Sequence, residues 1–137
     1  MYKHIVVAVD GSDNSMRAVE QAIELAKASG EPQVDVLSVI AIDVYSDMVY
    51  DPVKAHGDAQ TELVQPALDR FEQEGVKPQL VLLHGRPADE IVRYADKNDA
   101  DLIVIGSRGL NALQEFAIGS VSHKVIKHSK CPTLVVK

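Results

Sequence analysis

The sequence predicts an α/β fold: one domain over residues 1–137, with an open five-stranded parallel sheet and helices on both of its faces. Three observations carry this. Short runs rich in Val and Ile alternate strictly with segments whose apolar residues recur at helical spacing. The runs lack in–out alternation, which suits strands buried on both faces. Glycines gather where the fourth run ends and the next helix begins, at Gly106, Gly109 and Gly119.

Residues 3–9 form the first strand, which ends at Asp10-Gly11-Ser12-Asp13. Ser12 or Asp13 can cap the helix that follows. In that helix Val19, Ala22, Ile23 and Ala26 fall on one stripe, and Gly30 with Pro32 ends it. Residues 34–40 are a second strand that runs on towards Ile42. Residues 43–57 carry no regular pattern and read as a loop or a short irregular helix. Residues 59–74 are a longer helix, expected to turn Leu63, Ala67, Leu68 and Phe71 to the core. Pro66 inside it predicts either a kink or the true start of the helix.

Residues 79–83 are a third strand. Pro87 opens a third helix, with Asp89 and Glu90 in the first turn where the helix dipole favours them. Its stripe is Ala88, Ile91, Val92 and Ala95. Residues 102–105 are a fourth strand. A fourth helix over 121–128 turns Val121, Val125 and Ile126 inward, and residues 132–136 form a fifth strand. Right-handed crossovers leave few arrangements for such a chain, and a Rossmann-like or flavodoxin-like open sheet in the order 3-2-1-4-5 leads. The first and fourth strands are then neighbours at the point where strand order reverses. Ligands of such sheets lie there, beyond the carboxyl ends of the strands. Asp10 and Gly106 end those two strands.

Glycines between a strand and a helix suit an anion, because backbone can approach it closely and the unpaired N–H groups of the helix start face it. Gly106-Ser107-Arg108-Gly109 followed nine residues later by Gly119-Ser120 therefore points to a nucleotide or another phosphorylated ligand. Each residue also has an ordinary reading. Gly106 and Gly109 can be turn residues, Ser120 a helix cap, Asp10 a loop aspartate, and Arg108 a solvated charge. The conjunction at one end of the sheet favours phosphate.

Composition narrows the classes. Hydrophobic residues make up 46% of the chain and aromatics 4%, with no Trp, so the core is aliphatic and stacking of bases on aromatic platforms is disfavoured. A net charge of −6 argues against non-specific nucleic-acid binding. The single Cys131 forms no internal disulfide and is expected to be a buried, inert thiol; this fits a cytoplasmic protein. The amino terminus reads as strand rather than signal peptide, and no apolar run is long enough to span a bilayer. His123 and His128 lie five apart, off the spacing that suits a metal. The P-loop and nucleophile-elbow patterns are missing. The Ser-Gly-Gly-x-Asp-Ser loop of adenylating enzymes is missing as well.

The opening Ile5-Val6-Val7-Ala8-Val9-Asp10-Gly11-Ser12 and the pattern Gly106-x-x-Gly109-x9-Gly119-Ser120 resemble the universal stress protein family, ATP-binding branch, over the whole chain. The resemblance implies ATP with Mg²⁺ bridging its phosphates. It implies that Asp10 contacts the nucleoside directly or through a cation, and that Ala8 and Val9 line the adenosine. Val39 would meet the adenine edge through its backbone, and Ile105 and Gly106 would pack on the ribose. Arg108 and Gly109, with Gly119, Ser120, Val121 and Ser122, would serve the phosphates. It further implies a homodimer, or a tetramer, through an edge strand at Thr133, Leu134, Val135 and Val136. The implied role is a small cytoplasmic regulator and not an enzyme, with weak ATP hydrolysis left open. The alternative is an ATP-dependent interaction module for a transporter or signalling protein.

Overall fold

The computed structural model describes residues 1–41, 52–108 and 118–137, with residues 52–58 described by backbone alone. The elements alternate as β1 (His4–Ala8), α1 (Asp13–Ala28), β2 (Gln33–Ala41), α2 (Pro52–Gln73), β3 (Gln79–Gly85), α3 (Pro87–Lys97), β4 (Leu102–Gly106), α4 (Ser120–His128) and β5 (Thr133–Val136). The strands pair in parallel in the order β3-β2-β1-β4-β5, as the alternation predicts.

Successive residues of the central strands feed two separate cores. Ile5 and Val7 of β1 pack with Val19, Ala22 and Ile23 of α1 and with Val64, Ala67 and Phe71 of α2. Val6 packs on the opposite face with Ile91 and Ala95 of α3 and Val125 of α4. Each such aliphatic side chain contributes about 1.5–3 kcal/mol by leaving water. The cores are thus made almost wholly of Val, Ile, Leu and Ala, with Phe71 the largest fully buried side chain. Ser12 caps α1, its Oγ accepting the Ser15 N–H at 3.2 Å, a contact worth about 1 kcal/mol. Arg70 of α2 bridges Glu20 of α1 at 2.6 Å and Glu74 at 2.8 Å, which pins the two helices together at the surface.

Several expectations change. The helix read over 59–74 starts earlier, at Pro52, so residues 52–57 of the stretch read as irregular are helical; residues 42–51 lie outside the described set. Pro66 is therefore interior to α2 and does not mark its start. Leu63 is 38% exposed and Val64 takes the core position, because Val64, Ala67 and Phe71 share one helical stripe and Leu63 falls beside it. Ile126 is likewise exposed while Val125 is buried. Cys131 is half-buried rather than enclosed, with its N–H donating to Ser129 Oγ at 3.2 Å.

The amino-terminal end of the sheet is closed by a polar network that the apolar look of the strands concealed. Asp35 is fully buried between Val34 and Val36. Its Oδ2 accepts from the Tyr94 hydroxyl at 2.7 Å and lies 2.7 Å from His4 Nε2. His4 Nδ1 in turn lies 3.2 Å from the Asn98 carbonyl. Asp101 Oδ2 accepts the N–H groups of Lys3 and His4 at 2.8 and 2.9 Å, and these two bonds hold its carboxyl below the usual range. A buried carboxylate is tolerated only when its oxygens are satisfied in this way.

Burial first, then the hydrogen bond to Asp35 and its negative charge, push the Tyr94 phenol up to about 12. The folded state thus favours the neutral phenol. The stability this adds is complete below the ordinary tyrosine value of ~10 and is lost as pH rises through about 12. An ultraviolet titration of the wild type minus Tyr94→Phe should show one phenol ionising near 12. A difference centred near ~10 would contradict the buried network.

Candidate functional site

A cleft opens where β1 and β4 part company. The β1–β2 pairing ends at Ala8–Leu37, with one further bond from the Val9 N–H to the Leu37 carbonyl at 2.9 Å. The β1–β4 pairing ends at Val7–Val104. Beyond these points β1 leads to α1 on one face of the sheet, and β4 leads towards α4 on the other. Gly11, at φ +85°, makes the turn out of β1, a conformation that side chains disfavour. Asp10 Oδ1 accepts the Ser12 N–H at 2.9 Å and so holds that turn.

The cleft measures about 900 Å³, within the ~300–1,000 Å³ typical of small-molecule sites. Ala8, Val9, Asp10, Val39, Ile105, Gly106, Arg108, Gly119, Ser120, Val121 and Ser122 all line it. Gly109 lies outside the described residues. The structure adds residues that no motif marked. Gln60 and Leu63 come from α2, Pro87 and Ile91 from α3, and His123 and Lys124 from α4. Topology did carry a signal for Pro87: in a parallel sheet every helix start lies at the carboxyl edge of the strands. Gln60 and Leu63, three residues apart on a helix, left no such mark.

Gly106 lines the cleft and also serves packing. A Cβ there would fall 2.8 Å from the Asn14 carbonyl carbon and 2.9 Å from its oxygen, both backbone atoms of α1. The first turn of α1 therefore seats directly on the end of β4. Ser107 then ties four elements together. Its N–H donates to the Val136 carbonyl of β5 at 2.7 Å, and its Oγ accepts from Asn14 Nδ2 of α1 at 2.9 Å. Its carbonyl accepts the Gly119 N–H at 2.5 Å and the Ser122 hydroxyl at 2.9 Å at the start of α4. Arg17 Nη2 bonds to Asn14 Oδ1, and Arg17 Nε donates to the Lys137 carbonyl at 2.9 Å.

These bonds decide which donors the helix start can offer. The Gly119 N–H and the Ser122 hydroxyl both donate to the Ser107 carbonyl. The first intrahelical bond of α4 runs from the His123 N–H to the Gly119 carbonyl at 3.0 Å. The N–H groups of Ser120, Val121 and Ser122 therefore have no acceptor within the helix. They stand at the positive end of its dipole, beside Arg108 and Lys124. One end of the cleft is thus built for an anion. The wall of β2 and α2 is mostly apolar and suits a flat organic body.

Among the described lining residues Asp10 is the single carboxylate, and no group of three or more His, Cys, Asp or Glu could by itself hold a metal ion. This donor set fits Mg²⁺ carried chiefly by phosphate oxygens and water, its usual mode with nucleotides. Among the described residues no helix is long and apolar enough to cross a membrane.

The β5 residues sit at the sheet edge. The Pro132 and Val136 carbonyls accept from Ile103 and Ser107 of the β4 side, so the alternate residues Thr133 and Val135 turn their N–H and C=O to the open edge. The side chains of Leu134 and Val136 pack on one core and that of Val135 on the other.

Comparison with known proteins agrees with this architecture. A sequence model of the universal stress protein family matches residues 1–137. A universal stress protein of Methanocaldococcus jannaschii is 41% identical, covering 100% of this chain and 83% of its own. A universal stress protein solved in complex with cAMP superposes with a TM-score of 0.78 at 30% identity, over 99% of this chain and 97% of that one. The Archaeoglobus fulgidus universal stress protein in complex with dAMP gives 0.70 at 31% identity, over 99% and 98%. The family model over the whole chain, the 41% identity to a relative matched along all of this chain and the structural overlap lead to one assignment: the chain belongs to the universal stress protein family.

Proposed function

We propose that this chain binds ATP with Mg²⁺ between the ends of β1 and β4 and acts as a small cytoplasmic regulator rather than as an enzyme. The observation that carries the reading is the start of α4. Three backbone N–H groups without helical acceptors face a cleft that also holds Arg108 and Lys124. The cAMP and dAMP complexes of its relatives support an adenine nucleotide.

The parts take distinct roles. Val39 lies two residues beyond Leu37, the last β2 residue bonded to β1. Its N–H and C=O face the same side, where β1 has already turned away, and offer one donor and one acceptor to the base. Ala8 and Val9 line the adenosine, and Ile105 and Gly106 the ribose. Arg108 and the N–H groups of Ser120, Val121 and Ser122 hold the phosphates, with Gly109 completing the loop. Gly119 keeps the approach to α4 narrow: a Cβ there would lie 3.3 Å from the Ser107 oxygen. Mg²⁺ would screen the phosphate charge when bound, and Asp10 is the one carboxylate among the described lining residues that could contribute to holding it. Regulation follows when a partner prefers the surface of the occupied or of the empty cleft.

Calorimetric titration tests the site. Wild-type protein should bind ATP with Mg²⁺ in the micromolar range, and Gly119→Val should weaken binding by about tenfold or more by crowding the donors, with thermal stability as the control for folding. Wild-type protein that binds no ATP, with nucleotide carry-over excluded, would contradict the proposal.

We also propose that the open β5 edge pairs with its copy across a two-fold axis, through Thr133, Leu134, Val135 and Val136. Thr133→Pro removes an outward N–H while sparing the bonds to β4. Sedimentation should then report a monomer where the wild type is a dimer. A variant that sediments as the wild type does would refute the pairing.

A further inference from the structure

The cleft wall built by β2 and α2 is apolar except at one point. Leu37, Val39 and Ala41 of β2 and Leu63 of α2 line it, and Gln60 brings the one polar side chain of that wall among the described residues. Gln60 is half-buried, and its Nε2 donates to Oγ of Ser38, a fully buried residue of β2. That bond fixes the rotation of the amide. It uses one of the glutamine's two N–H donors and leaves its carbonyl oxygen and the second N–H for the cleft. A polar tip on an apolar wall is costly to desolvate unless a ligand or neighbour meets it.

We infer that Gln60 reads the base of the bound nucleotide and selects adenine over guanine, an inference that rests on the nucleotide site proposed above. The argument is one of donors and acceptors. Adenine carries an amine donor at C6 beside the acceptor N7, and a glutamine amide matches that pair with its carbonyl and its N–H. Guanine carries a carbonyl acceptor at C6, which sets oxygen against oxygen. With guanine the half-buried amide of Gln60 loses its partner, and a site built to hydrogen-bond one group rejects a ligand that lacks it. The Val39 backbone meets the base from the sheet side, and Gln60 meets it from α2. Ser38 acts as a positioning residue, since it holds Gln60 and lies beneath the cleft wall.

The test titrates ATP, GTP and inorganic triphosphate, each with Mg²⁺, into the wild type, Gln60→Met and Ser38→Ala. Met keeps the length of the side chain and removes the amide. The wild type should prefer ATP over GTP, and that preference should fall by about tenfold in Gln60→Met, the scale of a paired contact to a base edge. Triphosphate, which has no base, should bind the wild type and both variants alike. Ser38→Ala leaves Gln60 in place without its anchor and should lower the preference in the same direction; it keeps the inference testable if Gln60→Met does not fold. An ATP preference that survives in both variants, or that the wild type lacks, would overturn the role of Gln60 and leave the nucleotide site standing. Wild-type protein that binds neither ATP nor GTP would overturn the nucleotide reading and this inference with it.

Discussion

The close seating of α1 on the end of β4 is the constraint from which the site follows. Gly106 has no side chain, and the Asn14 backbone occupies the space where one would be. With α1 that near, Asn14 reaches Ser107, and the Ser107 carbonyl can hold the Gly119 N–H and the Ser122 hydroxyl at the start of α4. Two helix starts, on opposite faces of the sheet, are thereby fixed around one opening. The donors that remain turned outward are those of Ser120, Val121 and Ser122. A larger residue at position 106 would separate these elements before it touched any ligand.

The two ends of the sheet divide stability from binding. At the amino-terminal end Asp35, His4, Tyr94 and Asp101 satisfy one another and the first backbone groups of β1. Polar groups there are closed off, as a packed interior requires. At the carboxyl end Val39 lies beyond the last β1–β2 pair, on its β1 side only, and the start of α4 lies beyond β4; their donors and acceptors border the cleft. The same parallel topology produces both ends, because each strand delivers its following helix to the carboxyl side.

Much of this was legible in the sequence. Alternating buried-type strands and amphipathic helices gave the strand order, and Asp10 with the glycine set located the cleft. The meaning of three residues was not legible. Gly106 looked like a place for an anion, and it also abuts the backbone of Asn14, whose side chain bonds Ser107 across 93 residues of sequence; no local pattern encodes such a contact. Leu63 and Val64 are adjacent apolar residues, and only the seating of α2 decides that Val64 faces the core and Leu63 the cleft. Asp35 was a readable signal that periodicity hid. A carboxylate inside an apolar strand must have partners, and His4 at the start of the neighbouring strand was within reach of that inference.

The most direct test of the account follows the backbone amides of ¹⁵N-labelled protein by NMR as ATP and Mg²⁺ are added. The account predicts that the largest shifts fall on Ser120, Val121 and Ser122, with Val39 moving alongside them. Shifts confined to other regions, such as the small cavity between α3 and Cys131, would contradict the assignment of the α4 start as the phosphate site.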